Sequence, residues 1–306
     1  MPINSLLDIN FGTTEKGTPF VKIQNLDYFD VGAVFDCGQA FRFLPIENSV
    51  HETEFGGVAF GKYITVAQDE SCVTVYGADS EDFERIWQNY LGLDFDIESA
   101  RRDILSRSDN PALLEAVEYG KGIRILRQEM WETLCSFIIS QNNNIPRIRG
   151  LIGTISKNLG AKVECTAELS EKAGEIYAFP TPEAIVSAGV DVLRDMKFGF
   201  RAPYIFDAAE KVASGELDLN AVREAKSTAE AAEMLMKVKG VGPKVAACTL
   251  LFGFDRTDAF PVDVWVKRII EKYFPAPFDA SALGSYAGLA QQYLFYYERY
   301  LGGQKS

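Results

Sequence analysis

The hydrophobic period of this chain changes once. Up to about residue 78 the apolar residues alternate or come in β-branched runs, and from Ser80 onward they recur at helical spacing. Side chains on one face of a strand recur every second residue, whereas those on a helix face recur every ~3.6 residues. A single changeover therefore segregates strands at the front from helices behind. Val58–Val66 reads as one strand with a glycine bulge, and Cys72–Tyr76 and Ala40–Leu44 as two more. Gly56-Gly57 and Gln68-Asp69-Glu70 carry turn chemistry. Behind a Ser80 cap, Phe83, Ile86, Trp87, Tyr90 and Leu91 fall on a helical face. Further helices are predicted at Met130–Ile139, Ala202–Val212, Ala229–Met236 and Leu283–Tyr300, with Thr181-Pro182-Glu183 opening another. The expected class is α+β. An N-terminal antiparallel β domain with trailing helices spans residues 1–108, and a larger all-helical domain spans residues 109–306.

Several function classes drop out on composition. At 306 residues the chain can bury two cores. Its apolar runs are far shorter than a membrane span, and Met1-Pro2-Ile3-Asn4 lacks the basic-then-apolar pattern of a secretory signal. The five cysteines are odd in number and unpaired in sequence, with a spacing that suits neither zinc nor an iron–sulfur cluster. They read as free thiols of a cytoplasmic or nuclear protein. His51 is the only histidine, which excludes a histidine-based metal site or triad. No metal and no organic cofactor is expected.

The net charge of −12 opposes phosphate binding, which needs Lys and Arg. Distribution matters more than the total. Acidic residues crowd Glu164–Glu183 and Glu216–Glu233, while Lys239, Lys244, Lys267 and Arg268 gather around one short motif. Modest non-specific affinity with a shallow salt dependence follows.

That motif is Lys239-Gly240-Val241-Gly242-Pro243-Lys244, a hairpin between two helices with Pro243 at the first position of the second. Both glycines tolerate positive φ. Successive backbone N–H groups of Gly240, Val241 and Gly242, added to the positive end of the following helix, suit the backbone of a nucleic acid. Val245 to Phe254 is apolar enough for a buried helix, and Asp255-Arg256-Thr257-Asp258 gives it a polar return. Asp263, in Phe260-Pro261-Val262-Asp263-Val264, is thereby brought back toward Lys244. An amine at a helix N-terminus sits in a field that disfavours its ammonium form, which suits a nucleophile. Simple charge pairing with phosphate is the rival role for Lys244. Asp263 reads equally as a helix cap and as a carboxylate that steadies positive charge on a sugar, and the two roles are compatible.

The segment Lys239 to Val264 resembles the helix-hairpin-helix, glycine-proline-aspartate superfamily of DNA repair glycosylases. Four further segments, Cys37-Gly38-Gln39-Ala40-Phe41-Arg42, Ser136 to Ile145, Phe198-Gly199-Phe200-Arg201-Ala202 and Gly288 to Phe295, look like the eukaryotic-type 8-oxoguanine DNA glycosylase/lyase. The resemblance implies a β domain like half of the TATA-binding protein, with the site in a cleft between two helical subdomains. It implies base excision by Lys244 through an imine with Asp263 as its partner, followed by β-elimination, on a flipped-out nucleotide. The Gly38 carbonyl would read the N7 hydrogen that only oxidised guanine carries, Gln291 would bond the Watson–Crick edge, and Phe295 and Cys248 would sandwich the ring. Phe200 would wedge into the vacated stack while Asn142, Arg147 and Arg201 hold the widowed cytosine. The partner would be duplex DNA with oxidised guanine, bound by a monomer.

The chain also departs from the family's pattern. Trp265 stands where many relatives carry a phosphate-touching histidine, Phe200 replaces the usual tyrosine, and Pro203 replaces a basic residue. Two alternatives remain: a glycosylase for another damaged purine, or a DNA-binding helix-hairpin-helix module without catalysis. Lys244 counts against the first.

Overall fold

The computed structural model describes residues 7–274 and 276–303. Six antiparallel strands form the front of the molecule: β1 (Asp8–Thr13), β2 (Pro19–Gln24), β3 (Leu44–Pro45), β4 (Thr53–Ala59), β5 (Lys62–Asp69) and β6 (Cys72–Tyr76). Their spatial order is β1-β2-β6-β5-β4-β3. The expected single strand Val58–Val66 is a hairpin. Ala59 pairs with Lys62 across Phe60-Gly61, whose φ angles of 52° and 68° form the tight mirror-image turn that matches strand twist. Gly56 and Gly57, expected in a turn, lie inside β4, where they let Tyr63 and Phe43 pack onto the backbone. Of the expected strand Ala40–Leu44 only Leu44 pairs, beside Pro45.

Alternation decides which face each residue serves. Ile64 and Val66 point into a core shared with Val21, Ile23, Val73 and Val75, and Tyr63 points to the opposite face against Leu169 and Ile176. The first core is closed by helix α1 (Val31–Asp36) and by one continuous helical stretch made of α2 (Ser80–Asp82), a π-helical turn (Phe83–Trp87) and α3 (Gln88–Tyr90). Ser80 is not the cap of that stretch. Asp79 is, its carboxylate accepting from the Asp82 amide at 2.8 Å.

The remaining helices form two groups. In the first, α4 (Ile97–Ser106) and α5 (Pro111–Tyr119) pack against α15 (Val264–Tyr273) and α16 (Ala287–Gly303), together with Ala33 and Cys37 at the end of α1. The second contains α6 (Met130–Ile139), α7 (Ile145–Leu159), α9 (Pro182–Ala188), α10 (Val190–Asp195), α11 (Ala202–Ser214), α12 (Leu219–Glu224), α13 (Thr228–Leu235) and α14 (Pro243–Gly253), with α8 (Ala167–Ala173) set against the sheet. The bounds of α6 are those read from its apolar run, and Thr181 caps α9 with Pro182 behind it, as predicted. The final helix differs from expectation: Gly284 has φ 72°, so 283–286 belongs to a separate tight turn and α16 starts at Ala287.

A largely buried carboxylate sits in the first turn of α6. Glu132 lies 3.4 Å from the Arg42 guanidinium with its side chain 17% exposed. Burial pushes its carboxyl up to about 7, against the opposing pull of Arg42. A carboxyl whose pKa is higher folded than unfolded stabilises the fold most below its unfolded value, and that contribution is lost as pH rises through about 7. Glu132→Gln is neutral at every pH. The melting temperature of the wild type relative to Glu132→Gln should therefore fall between pH 5 and pH 8. A difference that stays flat across that range would contradict the assignment.

Candidate active site

Lys244 is the second residue of α14, and the helix that carries it begins without a side-chain cap. Gly242 occupies the cap position and Pro243 has no N–H, so the amides of Lys244 and Val245 open the helix without an intrahelical acceptor. Gly240 has φ 78°, as its turn demands, but Gly242 is extended at φ −101°. Glycine serves a different purpose there: a Cβ at Gly242 would meet no atom within 4 Å, so the backbone faces open space. At Gly240 a Cβ would strike the Tyr204 ring at 2.3 Å, so the hairpin is seated on that ring. Val241 is buried and its amide donates to Val238 O at 3.0 Å, which makes it the anchor of the hairpin and not an outward donor.

The Lys244 amine points into a cleft of about 660 Å³ between the two helical groups. It donates to Ser140 Oγ at 3.2 Å and lies 5.6 Å from the centre of the Phe137 ring. Cys248, one turn further along α14, forms the floor. Burial pushes its thiol up to about 11, while Lys244 pulls it down and Asp263 pushes it up. Both charges thus reach the same sulfur. Asp263 lines the same cleft as the cap of α15, with Oδ1 accepting from the Val266 amide at 2.8 Å. The bond fixes the carboxylate and leaves Oδ2 outside the cap.

The opposite wall comes from α1 and α16. Gly38 lies just past α1 with φ 84°, and a Cβ there would sit 3.5 Å from Phe295. Gln291 and Phe295, one turn apart on α16, line the cleft beside it. Lys244, Asp263, Cys248, Gly38, Gln291 and Phe295 are thus brought to one cavity from four separate stretches of chain. Trp265, noted above for replacing a histidine, also lines it, as do Phe137, Ser140, Gln292 and Arg299, which were not singled out as site residues. Their apolar or helical settings give no sequence signal that separates them from core. The lone His51 lies on the sheet, held by Asp69 at 2.6 Å and Tyr76 at 3.0 Å.

The other four expected residues form a second group, joined to the cleft through the loop between α6 and α7. Arg201 is buried, with Nε donating to Gln141 O at 3.0 Å and a terminal nitrogen to Asn142 O at 2.8 Å. Burial first, and the nearby Arg147 charge second, lower its pKa. It holds the loop in place, including Asn142 at φ 47°. Arg147 and Phe200 are exposed, and the Arg201 guanidinium sits 4.4 Å over the Phe200 ring. Next to Asp263 in the chain, Val262, Val264 and Trp265 are exposed apolar residues, with Arg268 5.3 Å from the indole.

All five cysteines are free. Among the described residues no three His, Cys, Asp or Glu side chains converge to hold a metal ion, and no helix is long and apolar enough to cross a membrane.

Comparison with known proteins gives matches over most of the chain. The family "8-oxoguanine DNA glycosylase, N-terminal domain" matches residues 21–134, and "HhH-GPD superfamily base excision DNA repair protein" matches residues 135–282. A Clostridium acetobutylicum 8-oxoguanine glycosylase/lyase, solved with double-stranded DNA containing cytosine opposite 8-oxoG, is 36% identical with a TM-score of 0.85. The alignment covers 96% of this chain and 98% of that one. MBOgg1, solved with a low affinity DNA ligand, is 38% identical with a TM-score of 0.85, over 96% and 99% of the two chains. The N-glycosylase/DNA lyase of Saccharomyces cerevisiae is 36% identical over 162 residues, which cover 50% of this chain and only 42% of the yeast protein.

Proposed function

We propose that this chain, which belongs to the HhH-GPD superfamily of base excision DNA repair proteins and within it to the 8-oxoguanine glycosylase/lyase type, excises 8-oxoguanine opposite cytosine from duplex DNA and then cuts the abasic strand. The observation that carries this reading is the convergence of Lys244 and Asp263 in one cleft walled by Gly38, Gln291, Phe295 and Cys248. A bare DNA-binding module needs the hairpin but not a cavity behind it.

The chemistry follows from those groups. The Lys244 amine attacks C1′ of the flipped nucleotide, and the glycosidic bond breaks with its electron pair on the base, which departs after gaining a proton. The nitrogen loses its own proton and the sugar ring opens to the imine. Loss of a C2′ proton then expels the 3′ phosphate, and water hydrolyses the imine to restore the lysine. The free oxygen of Asp263 stabilises the positive charge that grows on the sugar. Atoms balance without a cofactor.

Recognition would use Gly38 O as acceptor for the N7 hydrogen, Gln291 on the Watson–Crick edge, and Phe295 with Cys248 on the two ring faces. Guanine offers an acceptor at N7 and so meets the carbonyl with repulsion. Gly240, Gly242 and the first turn of α14 take the phosphodiester, with Val241 fixing the hairpin beneath them. Phe200 fills the gap in the stack, and Asn142 and Arg147, with Arg201 behind the loop, face the cytosine. The protein would act as a monomer, wherever reducing conditions and chromosomal DNA coincide.

The direct test is borohydride reduction with duplexes carrying 8-oxoguanine opposite each of the four bases. The expected result is a covalent protein–DNA product that forms best opposite cytosine and is absent on undamaged DNA. In Arg147→Ala the preference for cytosine should fall by about tenfold. Equal trapping opposite all four bases by the wild type would contradict the assigned opposite-base preference. Absence of trapping on every oxidised duplex would contradict the reading as a whole.

A further inference from the structure

Helix α1 ends in carbonyls that its own backbone cannot satisfy, and α16 supplies their partners. Arg299 donates to Asp36 O at 2.6 Å, and Gln292 Nε2 donates to Cys37 O at 2.6 Å. The second bond is buried on both sides, with Gln292 at 3% exposure and Cys37 at 0%. Cys37 O belongs to the peptide plane that leads into Gly38. The peptide on the far side is held as well: Gln128 Nε2 donates to Gln39 O at 2.8 Å, and the Gln39 side chain bonds Val34 O, Arg124 O and the Leu126 amide. The Gly38 carbonyl thus lies between two immobilised peptides. At φ 84° glycine has wide rotational freedom, so without those anchors its carbonyl could swing.

We infer that Gln292 is a positioning residue for substrate discrimination: by fixing Cys37 O it aims the Gly38 carbonyl at N7 of the bound base. The inference rests on the proposed substrate reading. It also explains an economy in α16. Gln291 faces the base edge while its neighbour Gln292 grips the loop that reads the other edge, so one helix sets the distance between the two readers. A purely structural bond would hold α1 to α16 and affect every activity alike. A positioning bond affects only the step in which a base is read.

Abasic-site DNA separates the two, because it carries no base yet still requires Lys244. Gln292→Leu and Gln292→Met remove the donor at nearly constant size, and the more adaptable Met side chain guards against a folding failure of the Leu variant. The measurement is the ratio of kcat/KM for 8-oxoguanine excision to kcat/KM for strand cleavage at a preformed abasic site, for wild type and both variants. The ratio should fall by about tenfold or more in each folded variant. An unchanged ratio, whether both activities persist or both decline together, would overturn the inference. If the wild type cleaves abasic DNA but removes no 8-oxoguanine, the substrate reading fails and this inference fails with it.

Discussion

Lys244→Gln gives no borohydride-trapped adduct on any oxidised or abasic duplex, and base removal with strand cleavage falls on the order of 10³-fold or more. The size follows from chemistry. Glutamine keeps a polar side chain of similar shape at the site, although its nitrogen ends one bond short of the amine that lies 3.2 Å from Ser140 Oγ. Its propensity at an early helix position is similar, so α14 stays formed. An amide nitrogen, however, has its lone pair delocalised into the carbonyl and cannot attack C1′. Binding to DNA should change by less than about tenfold, because the hairpin amides and first-turn N–H groups remain. The measurement pairs a trapping assay with a binding titration on the same duplex. A trapped species in Lys244→Gln would place the nucleophile elsewhere.

Asp263→Asn is the second large effect, and it separates two roles that the structure gives to one side chain. Oδ1 caps α15 through the Val266 amide at 2.8 Å. Asparagine caps a helix about as well as aspartate, so stability should shift by less than about 0.5 kcal/mol. What is lost is the negative charge. Excision should slow by roughly 10²- to 10³-fold, in keeping with the loss of an acid–base group or a preorganised charge. Asp263→Ala loses the charge and the cap together, and should also cost about 1 kcal/mol in stability. The pair of variants is read by single-turnover excision alongside denaturant unfolding. Wild-type excision rates in Asp263→Asn would reduce Asp263 to a cap.

How much of this was legible beforehand differs from element to element. Met130–Ile139 and the Thr181-Pro182 start were readable because an apolar helix with clear ends and a cap-plus-proline pair are local signals. The β4–β5 hairpin was not, since Phe60 in its turn is a residue that sequence reasoning assigns to strands, and only the pairing of the two strands sets its φ. Asp79 took the cap from Ser80 because either residue is suitable and the backbone at Asp79 has the extended geometry a cap needs. Arg201 showed the same limit at the site. The resemblance implied that it holds the widowed cytosine, and only the structure shows its buried guanidinium binding the carbonyls of Gln141 and Asn142.

The sequence by itself determined that strands dominate the front and helices follow, though not that α1 lies between β2 and β3, and it determined the hairpin with its lysine and the return of Asp263 to it. These depend on period, on glycine and proline, and on the length of one buried helix, all of which act over a few turns of chain. Only the tertiary structure decided that Gly38, Lys244, Asp263 and Phe295 share one cleft, and that Gln292 holds the peptide before Gly38. Such contacts join residues far apart in the chain, 255 positions for Gln292 and Cys37, and they exist because burying α14 and α16 in separate cores leaves the cavity between them. No local pattern of residues encodes a distance of that kind.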